Sequence, residues 1–184
     1  MASAFSHAIA AVAIGKGLSF RESAKFWLLG IFCSVIPDGD VIGFHYHIPY
    51  GSPFGHRGFT HSLVFAILLS FLVMLIFYRG QKIFSRQWFA LFGFFFLATA
   101  SHGILDAFTN GGLGFEFFFP FNTHRYFFPW RPIQVSPLNA ASFFSEWGLR
   151  VLCTEVAWIW LPSFVVIGFS FVLMRWKKSK ALHE

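Results

Sequence analysis

The chain has 184 residues, of which 56% are hydrophobic and only 12% are charged, and its mean hydropathy is +0.61. This length predicts one domain over residues 1–184, and the low charge excludes an ordinary soluble domain, in which about 25% of residues are charged. The net charge of +6 and the pI near 9.7 do not indicate a nucleic-acid-binding protein, because the basic residues flank apolar runs and form no patch or stripe.

Five apolar runs follow one another along the chain, at residues 5–14, 26–36, 63–78, 88–105 and 151–174. A helix that crosses a membrane needs about 20 residues. The last three runs reach or approach that length, whereas the first two are short and are expected to form a helical hairpin, with Pro37 ending the second helix. The sequence therefore predicts an all-α membrane bundle of about five membrane-embedded helices.

Basic residues are divided unequally between the two sides of this bundle. The loops at 15–25 and 79–86 and the tail after 174 hold ten of the fourteen basic residues. The opposite side, 37–60 and 109–150, holds the other four, which are Arg57, Arg125, Arg131 and Arg150. Because cytoplasmic loops carry an excess of Lys and Arg, we expect a multi-pass protein of the bacterial inner membrane whose N-terminus and second side face the periplasm.

Histidines and aspartates concentrate at the ends of the runs on the predicted periplasmic side. Seven such residues, including all three aspartates of the chain, fall there: His7, Asp38, Asp40, His56, His61, His102 and Asp106. Buried carboxylates and imidazoles are costly at membrane depth unless they are paired or bind a metal. We therefore expect these side chains to meet in one metal site that faces the periplasm.

The spacing of His102 and Asp106 supports a metal site, because residues i and i+4 share a helix face. The two cysteines, Cys33 and Cys153, both lie inside apolar runs, which leaves no Cys-based zinc site. Imidazole and carboxylate without thiolate suit zinc, manganese or iron. The candidates exceed the roughly four ligands of one tetrahedral site, so we expect two ions, zinc or manganese.

Such a site predicts metal-assisted hydrolysis. A bound divalent ion lowers the pKa of its water from about 15.7 to about 7, and whichever of Asp38 and Asp40 is not a ligand is available as a general base. The aromatic segment 122–132 carries Arg125 and Arg131, and arginine binds phosphate through two parallel hydrogen bonds. With aromatic side chains suited to the headgroup level, this segment predicts a lipid-linked, phosphorylated substrate.

Five motifs together resemble those of a known family. They are His7 in an Ala-rich helix, Pro37-Asp38-x-Asp40, His56-Arg57-Gly58-x-Thr60-His61-Ser62, His102-x-x-x-Asp106 and Arg125-Tyr126-Phe127-x-Pro129-Trp130. From about residue 7 to residue 137 the chain resembles the YdjM-like family of bacterial inner-membrane, metal-dependent hydrolases, some members of which are described as LexA-regulated. A weaker similarity to zinc-dependent phospholipase C, in ligand types and His-x-x-x-Asp spacing, favours phosphoesters over amides.

The resemblance implies roles for individual residues. The implied metal ligands are His7, Asp38, His61, His102 and Asp106. The resemblance implies that Asp40 and His56 are either further ligands or catalytic groups. We assign both residues to catalysis. The residues expected to bind the substrate are Arg57, His124, Arg125 and Arg131.

Two other functions compete with the hydrolase. A metal or proton transporter would use intramembrane His and Asp as a pathway, but the predicted cytoplasmic halves of the runs carry no ionisable residues besides the flanking basic ones. A non-catalytic scaffold would use the metal to lock the helices together, and closed coordination would favour it.

Four further polar residues are assigned structural roles. Thr60 and Ser62 are expected to cap the third helix. Exposing the Glu155 carboxylate to lipid is energetically unfavourable, so this side chain is expected to face the bundle and to pair with Arg150, about one helical turn away.

Overall fold

The computed structural model describes residues 1–18 and 23–180. Within these residues the fold is all-α, as predicted, with two isolated β-bridges, Thr109 to Ile133 and Phe115 to Tyr126, and no longer strand. Arg21, one of the basic residues counted in the first loop, lies outside the described residues.

The first two helices form the expected hairpin. Helix α1 spans Ala4–Gly17 and helix α2 spans Ala24–Val35. The N-terminus of α2 is capped by the Ser23 side chain, which accepts a hydrogen bond from the backbone N–H of Phe26.

The second α-helix ends just before Pro37, as predicted, but the chain stays helical beyond it. The α-helical part stops at Val35, and a 3₁₀ helix continues over Ile36–Tyr46 with Pro37 in its first turn. Proline is tolerated there because the first turn of a helix needs no backbone N–H donor. The combined segment, Ala24–Tyr46, is 23 residues long and carries Asp38 and Asp40 in its 3₁₀ part.

Helices α3 and α4 form the second hairpin. A 3₁₀ turn at Phe59–His61 leads into α3 at Leu63–Phe77, and α4 follows at Arg86–Ala107. Ser62 caps α3 as predicted, by accepting a hydrogen bond from Phe65 N. The cap predicted for Thr60 was wrong, because its hydroxyl donates to Asp40 Oδ2 instead.

The C-terminal part begins after the irregular segment 108–139. Helix α5 spans Ala140–Phe143, and α6 spans Glu146–Glu155. A π-helical turn, Val156–Trp160, joins α6 without a break to α7, Leu161–Lys180. The helix predicted at 151–174 is therefore longer at both ends.

The core lies where α1, α2 and α4 pack against one another, with α3 on α4 and α7 on α1. The Phe26 and Phe94 rings stack there with centroids 4.2 Å apart. Gly30 permits this close approach of α2 and α4, because a Cβ on Gly30 would lie 2.5 Å from Phe94 Cζ. The outer faces of α3 and α7 expose apolar side chains such as Leu75 and Val165, as expected of surfaces in contact with lipid.

Among the described residues, three helical segments are long and apolar enough to cross a membrane: Ala24–Tyr46, Arg86–Ala107 and Glu146–Lys180. Helices α1 and α3 have 14 and 15 residues. At about 1.5 Å per residue, each is roughly 21–23 Å long, short of the ~30 Å hydrocarbon core. The bundle therefore has three candidate crossings by length and composition, and five membrane-embedded helices stay a prediction.

Candidate metal centre

Five of the predicted metal ligands meet at the end of the bundle away from the basic loops. His7 is near the start of α1, Asp38 is in the first turn of the 3₁₀ helix, and His61 ends the 3₁₀ turn that leads into α3. His102 and Asp106 lie in the last two turns of α4, on one face as predicted. All five residues, which together we call the metal centre, are buried.

Four of these residues have the spacing of a metal site. Asp38, His61, His102 and Asp106 each offer one ligand atom, and these atoms all lie within 4.8 Å of one another. His102 Nε2 is 3.1 Å from His61 Nε2, 3.2 Å from Asp38 Oδ1 and 3.8 Å from Asp106 Oδ2. A tetrahedral ion with bonds of about 2.0–2.1 Å holds its ligands about 3.3–3.4 Å apart. The four residues can therefore hold a zinc-sized ion.

Hydrogen bonds at Nδ1 orient both imidazoles towards this point. His102 Nδ1 lies 2.7 Å from the carbonyl oxygen of Ser34, which can only accept, so Nδ1 carries the proton. His61 Nδ1 lies 3.0 Å from the Thr60 hydroxyl oxygen, which accepts from it because the hydroxyl proton is donated to Asp40 Oδ2. In the neutral rings, both Nε2 lone pairs then face each other and the Asp38 carboxylate. This is the arrangement that orients histidine ligands in metal proteins.

Several buried polar atoms at the site have no partner in hydrogen-bonding geometry among the described residues. They are Asp38 Oδ1, Asp106 Oδ2 and both ring nitrogens of His7. Buried polar atoms are nearly always hydrogen-bonded in folded proteins, and exceptions point to an ion or a water. The unsatisfied atoms belong to predicted ligands, so the donor set fits a bound cation.

His7 lies beside the four-residue group. Its ring stacks on His102 with centroids 3.8 Å apart, and its Nε2 lies 3.2 Å from Asp106 Oδ1. The Asp106 carboxylate thus presents Oδ2 to His102 and Oδ1 to His7. The Asp106 carboxylate therefore connects His7 to the four-residue group, and the second metal ion expected from the sequence stays a prediction.

The 3₁₀ helix separates the two neighbouring aspartates. With three residues per turn, residues two apart point in directions about 120° apart. Asp38 accordingly faces His61 and His102, whereas Asp40 Oδ1 lies 2.6 Å from His56 Nδ1 and Asp40 Oδ2 faces His61 Nδ1. Asp40, His56 and His61 form a second group with metal-ligand spacing.

The residues before α1 cover the site. The Ala2 backbone N–H donates to Asp106 Oδ1. The buried Glu155 carboxylate accepts hydrogen bonds from the Ser3 backbone N–H, the Ser3 hydroxyl and the Ser6 hydroxyl. The predicted pairing of Glu155 with Arg150 was wrong, because Arg150 lies 3.8 Å from Glu146 on the exposed face of α6. Glu155 instead joins the π-helical turn to the start of α1.

Arg57 is fully buried and holds the loop that follows α4. Its Nη1 donates to the carbonyl oxygens of Gly111 and Leu113, at 2.7 and 3.0 Å. Gly112 has φ +81°, and a Cβ there would lie 2.6 Å from Arg57 Nη1, so only glycine fits this turn. These contacts are structural, and the substrate-binding role predicted for Arg57 stays a prediction.

Arg125 is bound in a similar way by the protein itself. Its Nη2 lies 2.8 Å from Glu116 Oε1 and donates to the Ser52 carbonyl, and its Nη1 donates to the carbonyls of His56 and Gly114. The Glu116 side chain is buried. The guanidinium therefore joins the backbone at Ser52, His56 and Gly114, and its predicted contact with substrate has no support from this geometry.

The other two predicted substrate residues are exposed. His124 packs edge-on against Tyr126, and the Arg131 guanidinium lies over the Phe127 ring, 4.7 Å from its centroid. The segment reaches the end of α4, because Phe128 N donates to Ala107 O. Arg131 is thus on the side of the bundle where the metal centre lies.

Tyr50 packs against the second group of ligands. Its ring meets the His56 ring edge-on, with centroids 5.2 Å apart. Burial raises the pKa of the Tyr50 hydroxyl above its usual value, with Arg57 opposing the shift. The hydroxyl therefore stays protonated at neutral pH.

An apolar groove on the surface of α2 ends at the metal centre. Its walls are Leu28, Ile31, Phe32, Val35 and Ile36, and its end is formed by Asp38 and Gly39. Its volume is about 460 Å³. Of the described residues that line this groove, Asp38 is the charged one and the others are apolar or glycine.

Three residues that contact the site were not predicted from the sequence. Ser34 offers only its backbone carbonyl, Ala2 only its backbone N–H, and Glu155 acts through Ser3 and Ser6. No spacing rule identifies a backbone group from another helix. The position of Glu155 inside an apolar run indicated that its carboxylate has a role, but it did not indicate which residues the carboxylate contacts.

Comparison with known proteins gives one family and one curated relative. The sequence profile of the family described as "YdjM inner membrane protein" matches residues 1–179. The Escherichia coli (strain K12) "Inner membrane protein YbcI" is 33% identical over 179 residues, which are 97% of this chain and 99% of that protein. No solved structure matches the chain.

Proposed function

The chain belongs to the YdjM inner membrane protein family, and on that premise we propose that it is a membrane-bound, metal-dependent hydrolase that cleaves a phosphoester of a lipid-linked substrate. The observation that carries the proposal is the position of Asp38. This residue lies 3.2 Å from His102 Nε2 and also closes the apolar groove on α2. An apolar chain in the groove would bring its headgroup to the metal centre.

The residues that would hold the metal are Asp38, His61, His102 and Asp106, with His7 beside Asp106 for a second ion. Their ligand types suit zinc or manganese. When bound, a divalent ion makes a water nucleophilic near neutral pH and neutralises charge on a phosphoryl oxygen.

His56 is proposed as the general base. Asp40 Oδ1 lies 2.6 Å from His56 Nδ1 and holds the proton there, so His56 Nε2 carries the lone pair that accepts a proton from the attacking water. Asp40 would then stabilise the imidazolium that forms. Arg131, unlike Arg57 and Arg125, is exposed on this side of the bundle and lies in the aromatic segment that reaches the end of α4, so it is proposed to bind the phosphate.

The centre is proposed to face the periplasm. The described basic residues at the opposite end are Lys16, Lys25, Arg79, Lys82, Arg86, Arg175, Lys177, Lys178 and Lys180. Lys25 Nζ donates to Phe77 O, which shows that the start of α2 and the end of α3 share that end. An excess of Lys and Arg marks a cytoplasmic side. A C-terminal fluorescent-protein fusion is expected to be active and a C-terminal alkaline phosphatase fusion inactive.

The test combines metal analysis with turnover. Purified wild type, Asp106→Ala and His56→Ala would be reconstituted in vesicles of bacterial polar lipid extract, and phosphate-containing products released into water would be measured. Asp106→Ala is expected to lose metal and turnover, and His56→Ala to keep metal but lose turnover. His45→Ala, which changes an exposed histidine outside the site, is the control and is expected to keep both.

A structural metal is the second candidate function. Four protein ligands around one ion are typical of closed structural sites, and Asp38, His61, His102 and Asp106 supply that number. This alternative predicts bound metal in the wild type, no turnover of any lipid phosphoester, and loss of helix packing when the metal is removed.

A further inference from the structure

A second groove lies at the basic end of the bundle, between the end of α3 and the start of α4. Its walls include Phe71, Leu75, Ile83 and Trp88, and Arg79 lines it. Its volume is about 230 Å³. The metal centre is at the other end of the same helices, so this groove is separate from the site described above.

The charged side chains described around this groove are all positive. Three exposed cations lie between α3 and α4 or at the start of α4: Arg79, Lys82 and Arg86. None of the three forms a salt bridge with another described residue. The acidic residues in the described ranges all lie on the side of the metal centre: Asp38, Asp40, Asp106, Glu116, Glu146 and Glu155. An anion at this groove would meet cations without competing carboxylates from the described chain.

Contacts within the protein hold the polar groups beside this groove. Arg79 Nε donates to Leu75 O at 3.0 Å, which keeps the guanidinium against the groove wall. Lys25 Nζ lies 4.5 Å from the centroid of the Tyr78 ring, and the buried Tyr78 hydroxyl has no hydrogen-bond partner among the described residues. Trp and Tyr beside Lys and Arg are typical of the headgroup region.

We propose that this groove, in which the apolar walls Phe71, Leu75 and Trp88 meet the Arg79 guanidinium, is a binding site for a phospholipid with an anionic headgroup. An acyl chain would lie along α3 and α4, and the headgroup phosphate would face Arg79, Lys82 and Arg86. Basic pockets between membrane helices bind anionic headgroups in this way. The site does not depend on the proposed hydrolase activity, because the ligand is bound and not cleaved.

The test is native mass spectrometry of the full chain in detergent, titrated with phosphatidylglycerol or phosphatidylcholine. The wild type is expected to bind phosphatidylglycerol more tightly, and Arg79→Gln to weaken that binding about fivefold, the effect of one basic residue near an anionic headgroup. Arg175→Gln is the matched control, since Arg175 is an exposed cation at the same end, over the Phe171 ring. It is expected to leave the binding unchanged.

Two outcomes would overturn the proposal. Equal affinity for the two lipids would show that only the acyl chain is bound. An equal loss in Arg79→Gln and Arg175→Gln would show attraction to the whole basic end and not to a groove. If Arg79→Gln fails to fold, the exposed pair Lys82→Gln/Arg86→Gln serves in its place, with an expected loss of about 25-fold, fivefold for each cation, and the same contradicting results.

Discussion

His61 Nε2 and His102 Nε2 lie 3.1 Å apart in the bundle, although the Nδ1 atom of each ring faces an acceptor of its own. Two Nε2 lone pairs at this distance, beside the Asp38 carboxylate, repel unless a proton or a metal ion lies between them. We therefore expect a metal ion bound here to stabilise the bundle.

Removing the metal is expected to lower the apparent Tm of the wild type by about 5 °C or more, because a ligand at 100 times its Kd stabilises by about 2.7 kcal/mol. A chelator titration followed by re-addition of zinc or manganese would measure this. In His102→Ala the chelator is expected to have no effect. An equal decrease in wild type and His102→Ala would contradict metal binding at this site.

Asp38 and Asp40 are expected to differ in their effect on metal affinity. Asp38→Asn removes a charged ligand, so metal content is expected to fall even with excess metal. Asp40→Asn only weakens the orientation of His61, so affinity is expected to fall about 10–100-fold and content to recover at high metal concentration. Metal analysis across a concentration series would separate them, and identical curves would show that the two residues share one role.

The Arg125–Glu116 pair is expected to be structural. Arg125→Met leaves the buried Glu116 carboxylate without its cation and is expected to destabilise the protein by about 3 kcal/mol. The double variant Arg125→Met/Glu116→Leu is expected to recover much of this loss. Arg150→Met, which breaks the exposed pair of Arg150 and Glu146, is the control. It should lower the free energy of unfolding in detergent by less than about 1 kcal/mol. No recovery in the double variant would rule out the pairing.

Glu155 is expected to position the start of α1 over the metal centre. Glu155→Ala leaves the Ser3 backbone N–H and two hydroxyls without their acceptor, which is expected to cost about 2 kcal/mol or more. It is also expected to weaken metal binding, since Ala2 and His7 contact Asp106 from the same segment. Glu146→Ala, which changes an exposed residue of α6, should alter neither quantity. Unchanged metal affinity in Glu155→Ala would contradict the positioning role.

Gly30 is expected to tolerate no side chain. Gly30→Ala would push a Cβ into the Phe94 ring between α2 and α4, at an expected cost of about 1–3 kcal/mol. Gly93→Ala is the matched control, because a Cβ there meets nothing within 4 Å, and alanine is the better helix former. Thermal unfolding of the two variants in detergent would measure the difference, and similar Tm values would contradict the close packing of α2 on α4.

Patterns within single helices were predictable from the sequence. The i, i+4 spacing of His102 and Asp106 and the cap at Ser62 depend on one helix each, so the spacing rules apply directly. The helical extension past Pro37 was not predictable, because proline stops an α-helix but fits the first turn of a 3₁₀ helix. That extension separates Asp38 from Asp40.

The sequence by itself determined an all-α membrane bundle with its histidines and aspartates at one end. It could do so because the free energy of placing a side chain in lipid, apolar or charged, depends on each residue separately. Only the tertiary structure decided which groups meet there. The contacts of Asp106 with Ala2, of His102 with Ser34 and of Glu155 with Ser6 join segments far apart in the chain. They depend on how the helices pack around Phe94 and Gly30, and no local pattern in the sequence contains that information.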